Sequence, residues 1–137
     1  EECNKLDICP FCWEHLEKWH DAPVLYKGEH WVITENDHPY TGSQLHFLAI
    51  YRDHIDSFEE IDCNAGIELF TLFARLKIEK KLPGATIFMR SGDMKYTGAT
   101  IFHLHAHIIS GASREKLENP DEMENWLTVK VGYKKPE

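Results

Sequence analysis

Apolar residues recur along this chain with two periods. Between residues 58 and 76, Phe58, Ile61, Ala65, Leu69, Leu72, Phe73 and Leu76 fall mostly at steps of three and four. That is the stripe of an amphipathic helix. Ser57 with Glu60 three residues on has the form of a capping box and puts the helix start at Ser57. Gly66 weakens the helix locally, and Pro83-Gly84 stops it. Elsewhere the apolar runs are short and bounded by turn formers. Residues 24–26 and 31–34 flank Lys27-Gly28-Glu29-His30 and read as a hairpin. Residues 36–44, with Pro39 and Gly42, form a turn-rich connection. Residues 45–51 are mostly apolar, as a well-buried strand requires. Residues 86–90 make a short strand, 91–98 a polar loop and 101–109 a longer strand. Beyond a charged linker at 114–124, the alternation of 127–133 predicts a final strand. Residues 13–19 give one or two helical turns ended by Pro23, and residues 1–8 are polar and loose. Several strands with one long helix between them make an α+β fold. There is no internal repeat.

Length fits one domain over residues 1–137, large enough to bury about two thirds of its unfolded surface in a single core. The formal net charge of -8 provides no basic footprint for a nucleic acid polymer. The densest basic stretch, residues 77–81, reads as a solvated helix end whose lysines suit the helix dipole. A local pocket can still take a phosphate, because backbone N–H groups and imidazolium supply local positive potential. No apolar run reaches the length of a membrane span, and no signal peptide is visible. The expected location is the cytoplasm. Gly92 and Gly98 match neither a Walker loop nor a dinucleotide fingerprint.

The chemistry concentrates in His103-Leu104-His105-Ala106-His107. Side chains alternate across a strand, so the three imidazoles share one face, successive rings roughly 7 Å apart. Phe102, Leu104, Ala106 and Ile108 take the other face and pack against the long helix. Each buried imidazole needs hydrogen-bond partners, so three in this register point to a site. Two functions fit: a metal site using all three rings, or a division of labour in which one ring attacks and its neighbours orient it. A neutral imidazole is a competent nucleophile toward phosphorus.

His103-Leu104-His105-Ala106-His107-Ile108-Ile109 resembles the motif of the histidine triad family of nucleotide hydrolases and transferases. Gly98-Ala99-Thr100-Ile101-Phe102 resembles the lead-in to that motif. The apolar strand from His46 to His54 and the pair in Cys9-Pro10-Phe11-Cys12 resemble two further family segments. The resemblance covers about residues 9–110. It implies an antiparallel sheet of about five strands with one long helix and a short N-terminal helical segment, commonly paired as a homodimer. It also implies that His105 attacks the α-phosphorus of a nucleotide to form a covalent nucleotidyl-imidazole, with His107 beside the phosphate. Thr100 is expected to contact phosphate or leaving-group oxygens, and Asn36 or Asp37 falls near the ribose-facing acidic position. His46 is open between a phosphate neighbour and a satisfied strand residue. Three positions depart from the family pattern: Ala99 replaces a glutamine, Gly92 an asparagine and Tyr51 a proline. They motivate an alternative, a nucleotide-binding regulatory module with little turnover.

Of the four cysteines, Cys9 and Cys12 have ligand or redox-pair spacing, while Cys3 and Cys63 show no spacing signal. A structural zinc site needs four thiolate or imidazole ligands. His54 follows one buried strand and His103 begins another, so both fall at one sheet end. The zinc-binding relatives have matching residue types at these positions. The expectation is one structural zinc on Cys9, Cys12, His54 and His103. His15 and His20 are substitutes only if His54 points away. Trp13, Trp19 and Trp31 read as packing residues, and Asp93 and Lys95 as solvated loop residues.

Overall fold

The computed structural model describes residues 9–137. Residues 1–8, with Cys3, and the side chain of Trp19 lie outside it, as do the expectations that fall on them. In chain order the regular elements are α1 (Trp13–Trp19), β1 (Val24–Lys27), β2 (Trp31–Glu35), β3 (Leu45–Tyr51), α2 (Cys63–Glu79), β4 (Thr86–Met89), α3 (Met94–Thr97) and β5 (His105–Ser110). The strands form one sheet in the order β1-β2-β3-β5-β4, with every neighbouring pair antiparallel. The fold is α+β, as the pattern of elements requires.

The helix stripe explains the main core. Ala65, Leu69, Phe73 and Leu76 of α2 bury against Trp31, Ile33, Phe47, Ala49, Leu104, Ala106 and Ile108 on one sheet face. Leu104, Ala106 and Ile108 lie on the helix side as expected, whereas Phe102 is 48% exposed. The opposite sheet face carries a smaller cluster, in which Val32, Leu48 and Ile50 pack against Phe11 and Leu16 of the N-terminal segment. β3 is therefore covered on both faces, which is why its sequence is nearly continuously apolar. Trp31 is fully buried, and its Nε1 donates to the Ala65 carbonyl at 2.8 Å. The hairpin is fastened to α2 by Glu68. Its carboxylate accepts from the backbone N–H groups of Glu29, His30 and Trp31, each at 2.8 Å.

Four expectations change. The long helix starts at Cys63, not Ser57. Asp62 is its N-cap, with a carboxylate oxygen accepting from Ala65 N–H at 2.9 Å. A charged acceptor at this position offsets the helix dipole as well as capping a free amide. Ser57 precedes only a 3-10 turn, Phe58–Glu60, and makes no cap bond to it. Its hydroxyl instead contacts the Ser91 hydroxyl at 3.1 Å and the Glu59 carboxylate.

The triad strand begins at His105, not Ile101. Leu104 donates to the Ile55 carbonyl at 2.6 Å and accepts from Tyr51 N–H at 3.1 Å. These bonds carry the chain off the regular ladder just before the strand. Ile101 consequently packs with the smaller cluster on the histidine side of the sheet.

The polar loop 91–98 contains α3, capped by Asp93 and closed by Gly98 at φ 73, a left-handed position suited to glycine. Finally, residues 127–133 form no strand. Val131 and Tyr133 are 82% and 75% exposed, so the alternation there does not correspond to a buried sheet face.

Candidate functional site

β5 lies between β3 and β4, with Leu48 and Phe88 both opposite His107 and Ile50 opposite His105. His105 and His107 thus share the sheet face away from α2, and their ring centroids are 5.0 Å apart. His103 precedes the regular strand and turns toward the N-terminal segment. The three histidines are divided between two local environments.

The first environment is a cradle of metal-ligand atoms. Ligand atoms of Cys9, Cys12, His54 and His103 all lie within 4.8 Å of one another. Cys9 Sγ is 3.4 Å from His103 Nδ1, Cys12 Sγ is 3.1 Å from His54 Nδ1, and the two Nδ1 atoms are 3.3 Å apart. Tetrahedral zinc with thiolate and imidazole ligands implies ligand-to-ligand spacings of about 3.3–3.8 Å. His103 Nε2 donates to the Tyr51 carbonyl at 2.6 Å. That fixes the proton on Nε2 and leaves an Nδ1 lone pair directed at the other donors, the outer-shell arrangement of a metal-binding histidine. Burial and the adjacent Cys9 push the Cys12 thiol up to about 12, because two thiolates side by side need a cation. The residues fit a zinc ion.

The second environment is a chain of hydrogen-bonded rings. His105 Nδ1 donates to the carbonyl of His103 at 2.7 Å, leaving the lone pair on Nε2. Phe11 meets the His105 ring edge-on at 4.9 Å. His46 Nδ1 accepts from Tyr40 N–H at 3.1 Å, so neutral His46 carries its proton on Nε2. That nitrogen lies 2.8 Å from His107 Nδ1, which must accept. His107 therefore carries its proton on Nε2, a buried atom with no hydrogen-bond partner among the described residues. A buried donor left unmatched is costly and marks a place where a ligand oxygen can bind.

Burial lowers the pKa of His46 and His105 to about 4 and that of His107 to about 2. For His105 the bond to the His103 carbonyl works against this shift, while the neighbouring His103 and Arg90 add to it. All three rings are neutral at physiological pH, the form in which an imidazole nitrogen can attack.

The other expected residues separate. Asn36 is half-buried, with Nδ2 3.3 Å from His46 Nε2. Asp37 has a scaffolding place: its carboxylate accepts from Asp21 and Ala22 N–H at 2.8 and 2.9 Å and lies 3.1 Å from His20 Nδ1. His20 Nε2 also contacts Thr34 Oγ1 at 2.8 Å, so this ring belongs to the α1–β1 junction and not to the metal cradle. His15 lies 3.5 Å from the Glu14 carboxylate, also outside the cradle. Thr100 is exposed in the bend before His103.

Sequence reasoning missed Tyr40, Phe88 and Arg90. Phe88 stacks on His107 at 4.3 Å with planes 8° apart, and Tyr40 meets His46 at 4.7 Å. Phe88 had a signal, since it lies in a predicted strand. Tyr40 had none, because its position depends on how the connection after β2 folds back.

The fold and site define an α+β protein in which a histidine-bearing antiparallel sheet meets a Cys/His metal cradle. The chain belongs to the HIT domain family, whose model matches residues 17–114. No curated protein matches it. Among solved structures it is similar to a hypothetical histidine triad nucleotide-binding protein from Sulfolobus tokodaii strain7, at 26% identity and TM-score 0.58, covering 75% of this chain and 68% of that one. A HIT family hydrolase from Clostridium thermocellum shares the fold at 22% identity and TM-score 0.58, covering 77% and 91% of the two chains. A Zn-bound histidine triad family protein from Mycobacterium smegmatis does so at 20% identity and TM-score 0.60, covering 85% and 84%.

Proposed function

We propose that the protein is a nucleotidyl hydrolase or transferase that works through a covalent bond to His105. The observation that carries this reading is the His105 Nδ1 bond to the His103 carbonyl, which presents the Nε2 lone pair of a neutral ring. Nε2 attacks the α-phosphorus of a nucleotide. The N–P bond forms as the bond from phosphorus to the leaving group breaks, and the leaving group keeps the bonding pair. Water, or another hydroxyl acceptor, then attacks phosphorus and gives up its proton to solvent; the N–P bond breaks and Nε2 recovers its lone pair. The His107 Nε2–H donates to a phosphate oxygen as charge builds there. Asn36 and Thr100 stand at the margins as substrate contacts, with His46 acting through His107.

Cys9, Cys12, His54 and His103 hold one zinc ion. With four protein ligands it has no open position for water and serves as a structural crosslink. It ties the N-terminal segment to the residue whose carbonyl orients His105. A reducing compartment such as the cytoplasm keeps these thiols available. Among the described residues no helix is long and apolar enough to cross a membrane.

A second copy of the chain is the proposed partner. The outer face of α2 exposes Ile67, Phe70 and Ile78 at 66%, 65% and 76%, and β4 is an open sheet edge. An apolar face and an unpaired edge in one chain are suited to symmetric pairing. A single monomer mass in sedimentation at micromolar concentration overturns that pairing.

The catalytic reading is tested by mixing the protein with nucleotidyl phosphoramidates and dinucleoside polyphosphates, quenching in base and mapping acid-labile nucleotide on the chain. Label on His105, absent in His105→Ala, is the expected result. Equal turnover by wild type and His105→Ala overturns the mechanism. Saturable nucleotide binding with no turnover across the panel supports the regulatory module, which the replacements Ala99, Gly92 and Tyr51 motivate.

A further inference from the structure

β4 and β5 run antiparallel, with Phe88 opposite His107 and Met89 opposite Ala106. One further step in that register puts Arg90 across from His105, on the face shared by Phe88 and His107. The guanidinium carbon lies 5.2 Å over the Phe88 ring, and Phe88 is stacked on His107. Three separate segments fix this side chain. Nε donates to the Thr97 carbonyl at 3.1 Å, Nη2 donates to the Lys130 carbonyl at 2.7 Å, and both terminal nitrogens lie 3.5 Å from the Tyr40 hydroxyl.

A guanidinium held from three sides has lost rotamer freedom before a ligand arrives, and its planar fork suits phosphate. Lys130 lies in the C-terminal stretch that forms no strand. That stretch stays close to α3 through Gly132, where an added Cβ would come within 2.7 Å of the Tyr96 carbonyl oxygen. The C-terminal segment thus acts as a strap that sets the guanidinium. Arg90 is a cation close enough to act on both His105 and His107.

We propose that Arg90 binds the departing phosphate, so that the site selects nucleotide anhydrides over nucleotidyl amines. The inference rests on the reading of His105 as nucleophile. In an anhydride, the P–O bond breaks as the His105 Nε2–P bond forms, and the leaving phosphate departs as an anion that the guanidinium neutralises. An amine leaving group brings no anion to Arg90 and must gain a proton, which the neutral His46–His107 pair does not offer.

The test compares full-length wild type, Arg90→Gln and Arg90→Lys. Turnover is read on a dinucleoside triphosphate and on an alkylamine phosphoramidate of the same nucleoside. Calorimetry reads binding of the nucleoside mono- and diphosphates, with adenine and guanine as bases, and melting confirms the fold. Loss of a charged hydrogen-bonding partner predicts a roughly 10- to 100-fold drop in kcat/KM for the anhydride in Arg90→Gln. The amidate is expected to change less than about threefold, the diphosphate preference over monophosphate to vanish, and Arg90→Lys to recover part of the loss. Equal losses on both substrates, or an intact diphosphate preference in Arg90→Gln, overturns the proposal. Binding separates it from the catalytic reading. If wild type turns over neither substrate yet Arg90→Gln abolishes the diphosphate preference, the mechanism fails and the Arg90 site stands. If His105→Ala abolishes turnover while Arg90→Gln affects both substrates alike, the reverse holds.

Discussion

His46 and His107 fix each other's protonation state across 2.8 Å, on neighbouring strands. The Tyr40 N–H occupies His46 Nδ1, so the His46 proton sits on Nε2 and the His107 proton is forced to its own Nε2. One backbone amide in an irregular connection thereby decides which atom of a triad histidine can donate.

The pair makes stability depend on pH. Burial lowers His46 from 6.5 to about 4 and His107 from 6.5 to about 2. Below pH 6.5 the unfolded chain binds protons that the folded chain refuses. Stability is therefore complete above pH 6.5 and falls as pH drops toward 4, by at most about 1.4 kcal/mol per pH unit for each histidine. Melting temperature followed from pH 7.5 to 4 checks this. His46→Phe should flatten the decline, and an unchanged slope would show that the pair is not its source.

Metal and nucleophile separate by substitution. Cys12→Ala should lose zinc and destabilise the segment before Pro23, because metal binding of this kind is coupled to folding. His105→Ala should keep full zinc and melt near the wild-type temperature while losing turnover. Elemental analysis of both purified variants decides the matter. Full zinc in Cys12→Ala, or lost zinc in well-folded His105→Ala, would show that the histidines are divided wrongly.

The helix cap gives a stability prediction independent of the site. Asp62→Ala removes the acceptor for Ala65 N–H and should cost about 1 kcal/mol in denaturant unfolding. Ser57→Ala removes no helix cap and should cost less. The reverse order would restore the helix start at Ser57.

Glu68 is a place where one side chain carries a connection. Glu68→Ala leaves the N–H groups of Glu29, His30 and Trp31 without their acceptor and should destabilise the chain by about 1–3 kcal/mol. Hydrogen exchange should accelerate at those three amides first. Protection equal to wild type would mean that other acceptors replace the carboxylate. Gly28 belongs to the same contact, since an added Cβ would come within 2.6 Å of a Glu68 carboxylate oxygen.

The sequence by itself determined the elements whose signal is periodic. The i, i+3, i+4 stripe located the body of α2, because a helix must bury one face. Alternation placed His105 and His107 together and Leu104, Ala106 and Ile108 against the helix, because a strand sends neighbours to opposite sides. The mostly apolar run of β3 announced a well-buried strand.

Tertiary structure decided what depends on partners distant in sequence. Ser57 and Asp62 both have cap chemistry, and only the local path of the chain showed which one meets a free helical N–H. The alternation at 127–133 resembles a strand, but pairing needs a sheet edge in register, and Lys130 instead gives its carbonyl to Arg90. His103 looked like a strand residue until the Leu104–Ile55 bond turned the chain toward Cys9, Cys12 and His54. Asp37 lay near an expected ribose contact, yet its oxygens are engaged by Asp21, Ala22 and His20. Arg90, two residues after Phe88 in the same predicted strand, shared that strand's signal but not the contacts that fix it, whereas Tyr40 could not be found from spacing at all. Tyr40 reaches His46 through a backbone hydrogen bond and a ring contact made when the connection after β2 folds back, and such contacts leave no period in the chain.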